Sequence, residues 1–326
     1  MIEEILPNLY KIEIPIPNNP LKSLNSYLIK SQDRFLIIDT GMNREECRQK
    51  MFSSLHKLNV DLNRTDFFIT HIHVDHLGLL ENLVTSSSKI YFNYKEASMF
   101  NIFYFGDARW EELHTSYYLN GFPKDLLTNS ISASGIQRYG PKKQLEFHAI
   151  GDDYSIEIGD YSFRCIETPG HSPGHTCLYE AEKKILLSGD HILMNITPNI
   201  GFWFEMPNSL KEYLTSLERV YKLDVNLILP GHRDHGNDHR KRIKELQEHH
   251  QIRLNEILSA LQKTEMNAFE VSSHITWDID APTWDKFPAA QKFFAFGETL
   301  AHLHYLEQGN LIQQKSKNGI QMFSLV

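Results

Sequence analysis

The chain has 326 residues, of which 41% are apolar and 23% charged, and this composition fits an ordinary folded protein with one large and one small domain. A net charge of -8 disfavours a general binder of nucleic acids or acidic membranes. Three cysteines without C-x-x-C spacing indicate no disulfide framework and no cysteine-rich zinc site. Because no leader and no apolar run of about 18 residues is found, we expect a cytoplasmic protein.

Short strands and turns alternate over the first part of the chain. Apolar residues recur at helical spacing in 44–58, which predicts a helix after an opening β-meander. A buried strand then leads into a histidine-rich loop, a further helix and another strand. The predicted strands are 9–16, 26–30, 35–41, 66–70 and 89–93, and the second helix is 77–84.

The loop after the strand at 66–70 reads H-I-H-V-D-H and supplies His71, His73, Asp75 and His76. Imidazole nitrogens and carboxylate oxygens are common metal ligands, and residues one apart in an extended turn can face one ion. The F-F-I-T run before the loop has the pattern of a buried strand, which argues against a simple surface cluster of histidines. This loop therefore predicts a metal site.

Residues 94–147 change to helical segments rich in aromatic residues, and we interpret them as an insertion. One hypothesis is a lid that shapes a largely apolar substrate pocket, and the other is a helical subdomain that buries its own aromatics. The aromatic loop 200–206 could form a second wall of such a pocket, or simply pack in the core. The pocket candidates are Phe105, Trp110, Tyr117, Phe202, Trp203 and Phe204.

In the second half, potential ligands again stand just past strand ends. His171 follows the strand at 161–167, Asp190 follows the strand-rich stretch 176–189, and His232 follows a strand that ends in Pro-Gly. Loops after strand ends are where sites assemble in layered α/β folds, so these donors can converge with the first histidine loop. A helix is predicted between them over 209–222.

The C-terminal quarter has a different pattern. It predicts a long amphipathic helix over 238–263, helices over 267–276 and 289–308, and a hairpin that turns on Asn318-Gly319. This order is typical of a winged-helix-like module, yet residues 264–326 carry four basic against seven acidic residues, the wrong sign for phosphate contacts. Packing or dimerisation is the favoured role.

Together these donors resemble the ligand set of the metallo-β-lactamase superfamily of dinuclear metallohydrolases. The resemblance implies an α+β fold, a four-layer αβ/βα sandwich over residues 1–237 that carries the insertion 94–147, followed by a C-terminal domain over 238–326. That tail resembles the beta-lactamase-like protein 2 group. The implied ligands are His71, His73 and His171 for one metal, Asp75, His76 and His232 for the other, and Asp190 as the bridge.

Two further residues are assigned supporting roles. Asp39, in I-I-D-T-G, matches the carboxylate that supports the site in this family, although a strand-end turn residue would look the same. His175 lies four residues after His171 and could support a ligand or simply end a strand. Asp75 is the candidate catalytic residue, because it could take a proton while it ligates a metal.

The expected activity is hydrolysis of a small acyl substrate, a thioester, ester or lactone, by a hydroxide that bridges two divalent metal ions. Zinc is favoured by the all-N/O donors, and iron or manganese would be accepted by the same set. A phosphodiesterase or single-strand endoribonuclease that uses basic residues at 240–244 is the alternative, as is a mononuclear-iron redox protein of the same fold. The expected partner is a small molecule, with no membrane and with a homodimer as an option.

Gly170-His171-Ser172-Pro173-Gly174 also matches the G-x-S-x-G nucleophile elbow of serine hydrolases. An elbow needs the backbone N–H of the residue after the serine, and Pro173 has none. The chain also continues into a strand pattern instead of a helix. We therefore do not assign Ser172 as a nucleophile.

Overall fold

Two β-sheets face each other at the centre of the molecule. The computed structural model describes the backbone of residues 1–326 and every side chain except that of Ser134. The first sheet has seven strands in sequence order, antiparallel up to the fourth strand and parallel from the fourth to the seventh. They are β1 Ile2–Leu6, β2 Leu9–Pro15, β3 Ser23–Lys30, β4 Phe35–Ile38, β5 Thr65–Ile69, β6 Ile90–Asn93 and β7 His148–Ile150.

The second sheet has five strands in the order β12-β11-β10-β9-β8. Its pairs are antiparallel except for the parallel pair β11 and β12, so these two strands end at the same edge of the sheet. The strands are β8 Ser155–Ile158, β9 Tyr161–Glu167, β10 Thr176–Glu180, β11 Ile185–Gly189 and β12 Leu227–Pro230. The first strand of the chain, Ile2–Leu6, was not predicted, since its two glutamates break the apolar pattern.

Helices cover the outer face of each sheet. The first sheet carries α1 Glu45–Lys57 and two short helices, α2 Val74–Leu77 and α3 Leu80–Leu83, while the insertion forms α4 Tyr94–Phe105, α5 Asp107–Leu119, α6 Lys124–Ser134 and α7 Ile136–Tyr139. The second sheet is covered by α8 Ser209–Tyr221 and α9 His239–Leu261. Among the residues described, no helix is long and apolar enough to span a membrane.

The C-terminal part contains α10 Ala268–Ser272, α11 Ala289–Gln308 and the hairpin β13 Ile312–Lys317 with β14 Ile320–Leu325. One apolar cluster joins this part to the second sheet, α8 and the insertion, and it includes Leu186, Leu210, Tyr117 and Phe296. The apolar core is therefore continuous across position 237, and the division into domains at 237 stays a prediction.

The helix predicted over 77–84 is not continuous. The amide of Leu79 donates to the carbonyl of Gly41 at 2.8 Å instead of continuing the first helix, so the segment forms the two four-residue helices α2 and α3. The helical part of the insertion ends at Tyr139, eight residues before the predicted end. The remaining residues run in irregular conformation into β7.

A layer of side chains fills the space between the two sheets. Its members come from both inner faces, for example Phe68 of β5 and Leu187 of β11. A second cluster lies between the first sheet and α1, and the third lies between the second sheet and α8, α9 and α11. The result is the helix–sheet–sheet–helix arrangement predicted from the sequence, with the strand ends of both sheets brought to one edge.

Candidate metal centre

Four strand ends deliver the predicted donors to one place. The loop after β5 carries His71, His73, Asp75 and His76, and the connection from β9 to β10 carries His171. Asp190 follows β11 and His232 follows β12, the parallel pair whose ends share an edge. The structure thus brings all seven predicted ligands together, although they span about half of the chain.

Three imidazoles form the first group of donors. His71 Nε2 lies 3.0 Å from His73 Nδ1 and 3.2 Å from His171 Nε2. One ring nitrogen from each residue falls within 4.8 Å of the others. Three nitrogens at such mutual distances can face one ion placed between them.

Asp75, His76 and His232 form the second group, again with donor atoms within 4.8 Å of one another. Asp190 stands between the two groups. Its carboxylate lies 3.5 Å from Nε2 of both His76 and His232, and 3.7 Å from Nε2 of His171. A carboxylate in contact with donors of both groups has the position that a bridging ligand needs.

The two groups differ in charge. Burial, with the neighbouring imidazoles, lowers the pKa of His71 well below its usual value, and burial together with His171 lowers the pKa of His73 to about 3. Burial opposes protonation of His232 as well, but Asp190 and Asp75 raise its pKa to about 10. The first group therefore presents unprotonated nitrogens, whereas metal binding at the second group must displace protons.

Three of the imidazoles are held by their Nδ1 nitrogens. The Nδ1 atom of His171 donates to the carbonyl of Asn199 at 2.7 Å, and that of His232 donates to the carbonyl of Ser23 at 2.7 Å. Nδ1 of His76 lies 2.7 Å from the carboxylate of Asp39. Such contacts fix ring orientation and direct the Nε2 lone pair to the centre, as they do in metal-binding histidines.

Asp39 and His175 stand where a supporting role would place them. Asp39 also accepts the backbone N–H and the hydroxyl of Thr70, at 2.9 and 2.8 Å, so it ties the start of the histidine loop to β4. Nε2 of His175 accepts the backbone N–H of Asp190 at 3.1 Å, and its Nδ1 lies 2.8 Å from the hydroxyl of Thr168. His175 therefore orients the Asp190 segment and is not directed at the centre.

The donor set fits a pair of divalent metal ions. His76 Nε2, His232 Nε2 and Asp190 Oδ1 are buried and have no hydrogen-bond partner among the described side chains. Buried polar atoms are ordinarily satisfied, so three of them directed at one another call for a bound group. Imidazole nitrogens with carboxylate oxygens suit zinc and also iron or manganese.

Glu96, which the sequence patterns did not identify, holds two of the ligand loops together. It is fully buried on α4. Its carboxylate accepts the backbone N–H groups of Ile72 at 2.6 Å and Gly174 at 2.7 Å, and also the hydroxyl of Ser172. Burial outweighs these donors and raises the pKa of Glu96 to about 7. Ser172 is thus occupied as a donor and is followed by strand β10, as expected for a residue that is not a nucleophile.

Gly231 leaves room for the donors at the end of β12. A Cβ atom at this position would lie 2.6 Å from Asp190 Oδ1 and 2.9 Å from His76 Cε1. Real Cβ atoms do not approach other atoms so closely, so a side chain here would displace the centre. The glycine of Pro230-Gly231-His232 is therefore required because no space is left for a side chain.

A cavity of about 370 Å³ opens at the donors. His73, Asp75, His171 and Asp190 lie at one end, and mainly apolar side chains, many of them aromatic, line the rest. Five of the six predicted pocket residues are on its wall: Trp110, Tyr117, Phe202, Trp203 and Phe204. Phe105 is not, because it lies at the end of α4, is 41% exposed and packs against Phe100.

Trp203 connects the cavity wall to the donors. Its indole stacks on the ring of His73 with centroids 5.8 Å apart, and on Phe103 with centroids 5.9 Å apart. Its N–H donates to the carbonyl of His171 at 3.1 Å. The loop 200–206 and the insertion therefore meet at His73 and His171, two of the candidate ligands. Both proposed roles of the insertion, a pocket wall and a self-packed subdomain, find support in these contacts.

Comparison with known proteins agrees with this geometry. Residues 20–232 match the model of the Metallo-beta-lactamase superfamily, and residues 254–326 match that of the Metallo-beta-lactamase-like, C-terminal domain. The chain belongs to the metallo-beta-lactamase superfamily. This confirms the predicted fold class and family, and membership of this fold implies that the protein binds divalent metal.

Individual relatives cover most of the chain. It is 25% identical over 260 residues to a Beta-lactamase-like protein 2 homolog of Caenorhabditis elegans, covering 79% of this chain and 72% of the relative. It is 27% identical over 299 residues to the Probable metallo-hydrolase YqjP of Bacillus subtilis, covering 86% of each. An atrochrysone carboxyl ACP thioesterase of Aspergillus fumigatus is 24% identical over 270 residues, covering 79% of this chain and 69% of the relative.

Among solved structures, a metallo-beta-lactamase family protein from Thermus thermophilus superposes with a TM-score of 0.85 at 28% identity. The alignment covers 99% of this chain and all of that protein. The similarity therefore includes the insertion and the C-terminal part as well as the sandwich.

Proposed function

We propose that the protein is a dinuclear metal-dependent hydrolase of small acyl substrates, a thioester, ester or lactone. The observation that carries this proposal is the cavity, in which four of the seven candidate metal donors at one end meet walls made mainly of apolar side chains, aromatic ones among them. Such walls suit the apolar part of an acyl group, while the polar end suits its carbonyl. The thioesterase activity named for one relative supports the same substrate class.

In this proposal His71, His73 and His171 would hold one metal ion, Asp75, His76 and His232 would hold the other, and Asp190 would be shared between the two groups. Two such ions supply an activated water at neutral pH and stabilise negative charge that develops on a carbonyl oxygen. Hydrolysis breaks the bond between the acyl carbon and its sulfur or oxygen, forms a new carbon–oxygen bond from water, and returns a proton to the leaving group. We assign the proton acceptor to Asp75.

Asp75 is ionised and lies where the cavity meets the donors. Burial favours its neutral form, but His76 and His232 lower its pKa to about 2, so its carboxylate is ionised at neutral pH. Asp75 lines the cavity, and its Oδ2 atom lies 3.4 Å from His232 Nε2. An ionised carboxylate at the junction of cavity and donors is placed to receive a proton from the attacking water.

The rival hypothesis is a phosphodiesterase or single-strand endoribonuclease that binds phosphates with basic residues near the site. Two of these residues have other partners. Arg240 donates to the carbonyls of Tyr221 and Leu223, and Arg242 donates to those of Leu193 and Ile196. These guanidinium groups are occupied by loop carbonyls, which argues against a site that binds the phosphate backbone of a nucleic acid.

The proposal is tested by metal analysis and a substrate panel. Protein purified without added metal should carry close to two divalent ions per chain and hydrolyse thioesters, esters or lactones. We expect kcat/KM for the best acyl substrate to exceed that for bis-p-nitrophenyl phosphate by at least about 100-fold. Efficient cleavage of the phosphodiester or of single-stranded RNA, with no acyl hydrolysis, would overturn the proposal, and a single iron with redox activity would favour the mononuclear-iron alternative.

A further inference from the structure

A buried ion pair in the C-terminal part lies close to the metal donors. Arg253 of α9 and Glu298 of α11 are each only 5% exposed, and their side chains form a charge-assisted hydrogen bond. Arg253 also donates to the carbonyl of Thr276 at 3.2 Å and lies over the ring of Trp277, 4.2 Å from its centroid. A buried ion pair is weak evidence for a role in stability alone. The second contact that Glu298 makes therefore indicates what the pair does.

That second contact leads to His171. The other oxygen of Glu298 accepts the side-chain amide of Asn199 at 2.7 Å. The same amide lies 3.3 Å from the carbonyl of Phe294, also on α11. The backbone carbonyl of Asn199 is the group that receives the Nδ1–H of His171 at 2.7 Å. Helix α11 therefore fixes the acceptor that orients a proposed metal ligand.

We propose that Glu298, paired with Arg253, is a positioning residue for His171. By anchoring Asn199, it keeps the Nε2 lone pair of His171 directed at the first metal site. The C-terminal part then sets the affinity of the His71, His73 and His171 site, while the site of Asp75, His76 and His232 depends on Ser23 and Asp39 of the first sheet. This inference rests on the proposed metal centre but not on the identity of the substrate.

Asn199→Ala is the sharpest variant, because it removes the anchor and leaves the acceptor carbonyl in place. We expect cobalt(II) titration of the metal-free protein to show one of the two equivalents weakened by about 10- to 100-fold, the range for loss of an outer partner of a ligand. The other equivalent should bind as in the wild type. Glu298→Gln should weaken the same equivalent, because a single amide oxygen cannot satisfy both Arg253 and Asn199.

Asn208→Ala provides a matched control. The Asn208 side chain also links the sandwich to α11, donating to Gln308 at 2.8 Å, but it lies at the N-terminus of α8 and contacts none of the donors. This variant should lose stability without a change in cobalt affinity. If it weakens binding as much as Asn199→Ala does, the effect is merely structural.

A second readout is independent of metal loading. In metal-free protein, the Nδ1–H of His171 should give a slowly exchanging imidazole signal in nitrogen-15 NMR, and Asn199→Ala should speed its exchange at least about tenfold. Unchanged cobalt affinity together with unchanged exchange would overturn the inference. A wild type that binds a single cobalt ion would instead contradict the dinuclear function, and the imidazole signal would still decide the role of Asn199.

Discussion

Two clusters of buried and half-buried histidines can be compared in this molecule. The loop cluster contains His71, His73, His76, His171 and His232 with Asp75 and Asp190, and the helix cluster contains His249, His250 and His302 with Glu298. Both bring imidazole nitrogens within hydrogen-bond distance of one another. In both, ring nitrogens remain without partners among the described side chains, at His76 and His232 in the first and at His249 and His250 in the second.

The clusters differ in the charges around them. The loop cluster faces the carboxylates of Asp39, Asp75 and Asp190, whose ion-pair partners are histidines. In the helix cluster the carboxylate among the candidate donors is Glu298, and Arg253 already pairs with it. At an effective dielectric constant of about 20, a divalent ion roughly 5 Å from a carboxylate is attracted by about 7 kcal/mol, and the guanidinium of Arg253 offsets most of the attraction that Glu298 would exert. Converging imidazoles are therefore not sufficient for a metal site. We infer that carboxylates free to attract the cation are needed as well.

Asp190→Asn tests this conclusion with the largest expected effect. The change removes the charge that contacts both donor groups, so we expect metal content to fall from two ions to one or fewer, and kcat/KM on an acyl substrate to fall at least about 10³-fold. Elemental analysis and steady-state kinetics measure the two quantities. Asp278→Asn, an exposed acid on the same cavity wall, should keep both ions. Full activity and two ions in Asp190→Asn would mean that the bridging assignment is wrong.

Glu96→Ala tests how the loop cluster is kept in place. The change leaves the buried amides of Ile72 and Gly174 without acceptors, so we expect the free energy of unfolding to fall by about 3 kcal/mol and metal affinity to fall with it. Urea unfolding of the metal-free protein measures the first effect. Glu111→Ala on α5 of the same insertion, where the side chain is exposed, serves as the control and should cost less than about 0.5 kcal/mol. Equal stability of both variants would contradict the role of Glu96.

His302→Gln tests the helix cluster as a set of neutral imidazoles. Burial, then Arg253, lowers the pKa of His302 to about 3, below the usual 6.5. The unfolded chain therefore binds more protons than the folded chain between these values, so stability is full above pH 6.5 and is lost as pH falls towards 3. At pH 5 one such histidine costs about 2 kcal/mol.

The glutamine variant should lose about 2 kcal/mol less than the wild type between pH 7 and pH 5, measured by urea unfolding of metal-free protein. A glutamine can still accept from Nδ1 of His250, which lies 3.0 Å from Nε2 of His302, and can donate to the carbonyl of Glu298. The difference in free energy of unfolding between the variant and the wild type at pH 7 measures any loss of packing caused by the substitution itself. Identical acid sensitivity of the two proteins would show that His302 is not held neutral.

The smallest effect is expected at His250. If charge excludes a divalent ion from the helix cluster, His250→Gln should bind the same two equivalents of zinc as the wild type, with unchanged affinities. Equilibrium dialysis with excess zinc followed by elemental analysis counts them. A third equivalent in the wild type that disappears in the variant would break the comparison, because the helix cluster would then bind metal despite Arg253.

The loop cluster could be predicted from the sequence because its residues follow a repeated pattern. Each donor stands just past an apolar strand that is ended by Gly, Pro or Thr. Because the ends of parallel strands lie at the same edge of a sheet, the positions of these donors in the sequence predicted that they lie close together. Glu96 follows the same rule, three residues after β6 ends, but a glutamate in the first turn of a helix is too common to be noticed.

The helix cluster and the pocket could not be predicted in the same way. Histidines on an amphipathic helix have no sequence signal that distinguishes a packed ring from a ligand, and Arg253 and Glu298 are 45 residues apart on different helices. The insertion helices carry aromatic residues on more than one face, and the sequence does not show which face lines the pocket. At Phe105 the composition suggested a pocket residue, whereas the direction of the helix end placed it at the surface.

Gly231 has a consequence for how this centre can change during evolution. Because the backbone of residue 231 lies directly against Asp190 and His76, no layer of side chains separates the end of β12 from the donors. Even alanine at this position would push them apart. The spacing of the donors on this side is therefore not open to gradual adjustment by one substitution at a time, and new variants of the enzyme are expected to arise by changes in the cavity walls instead.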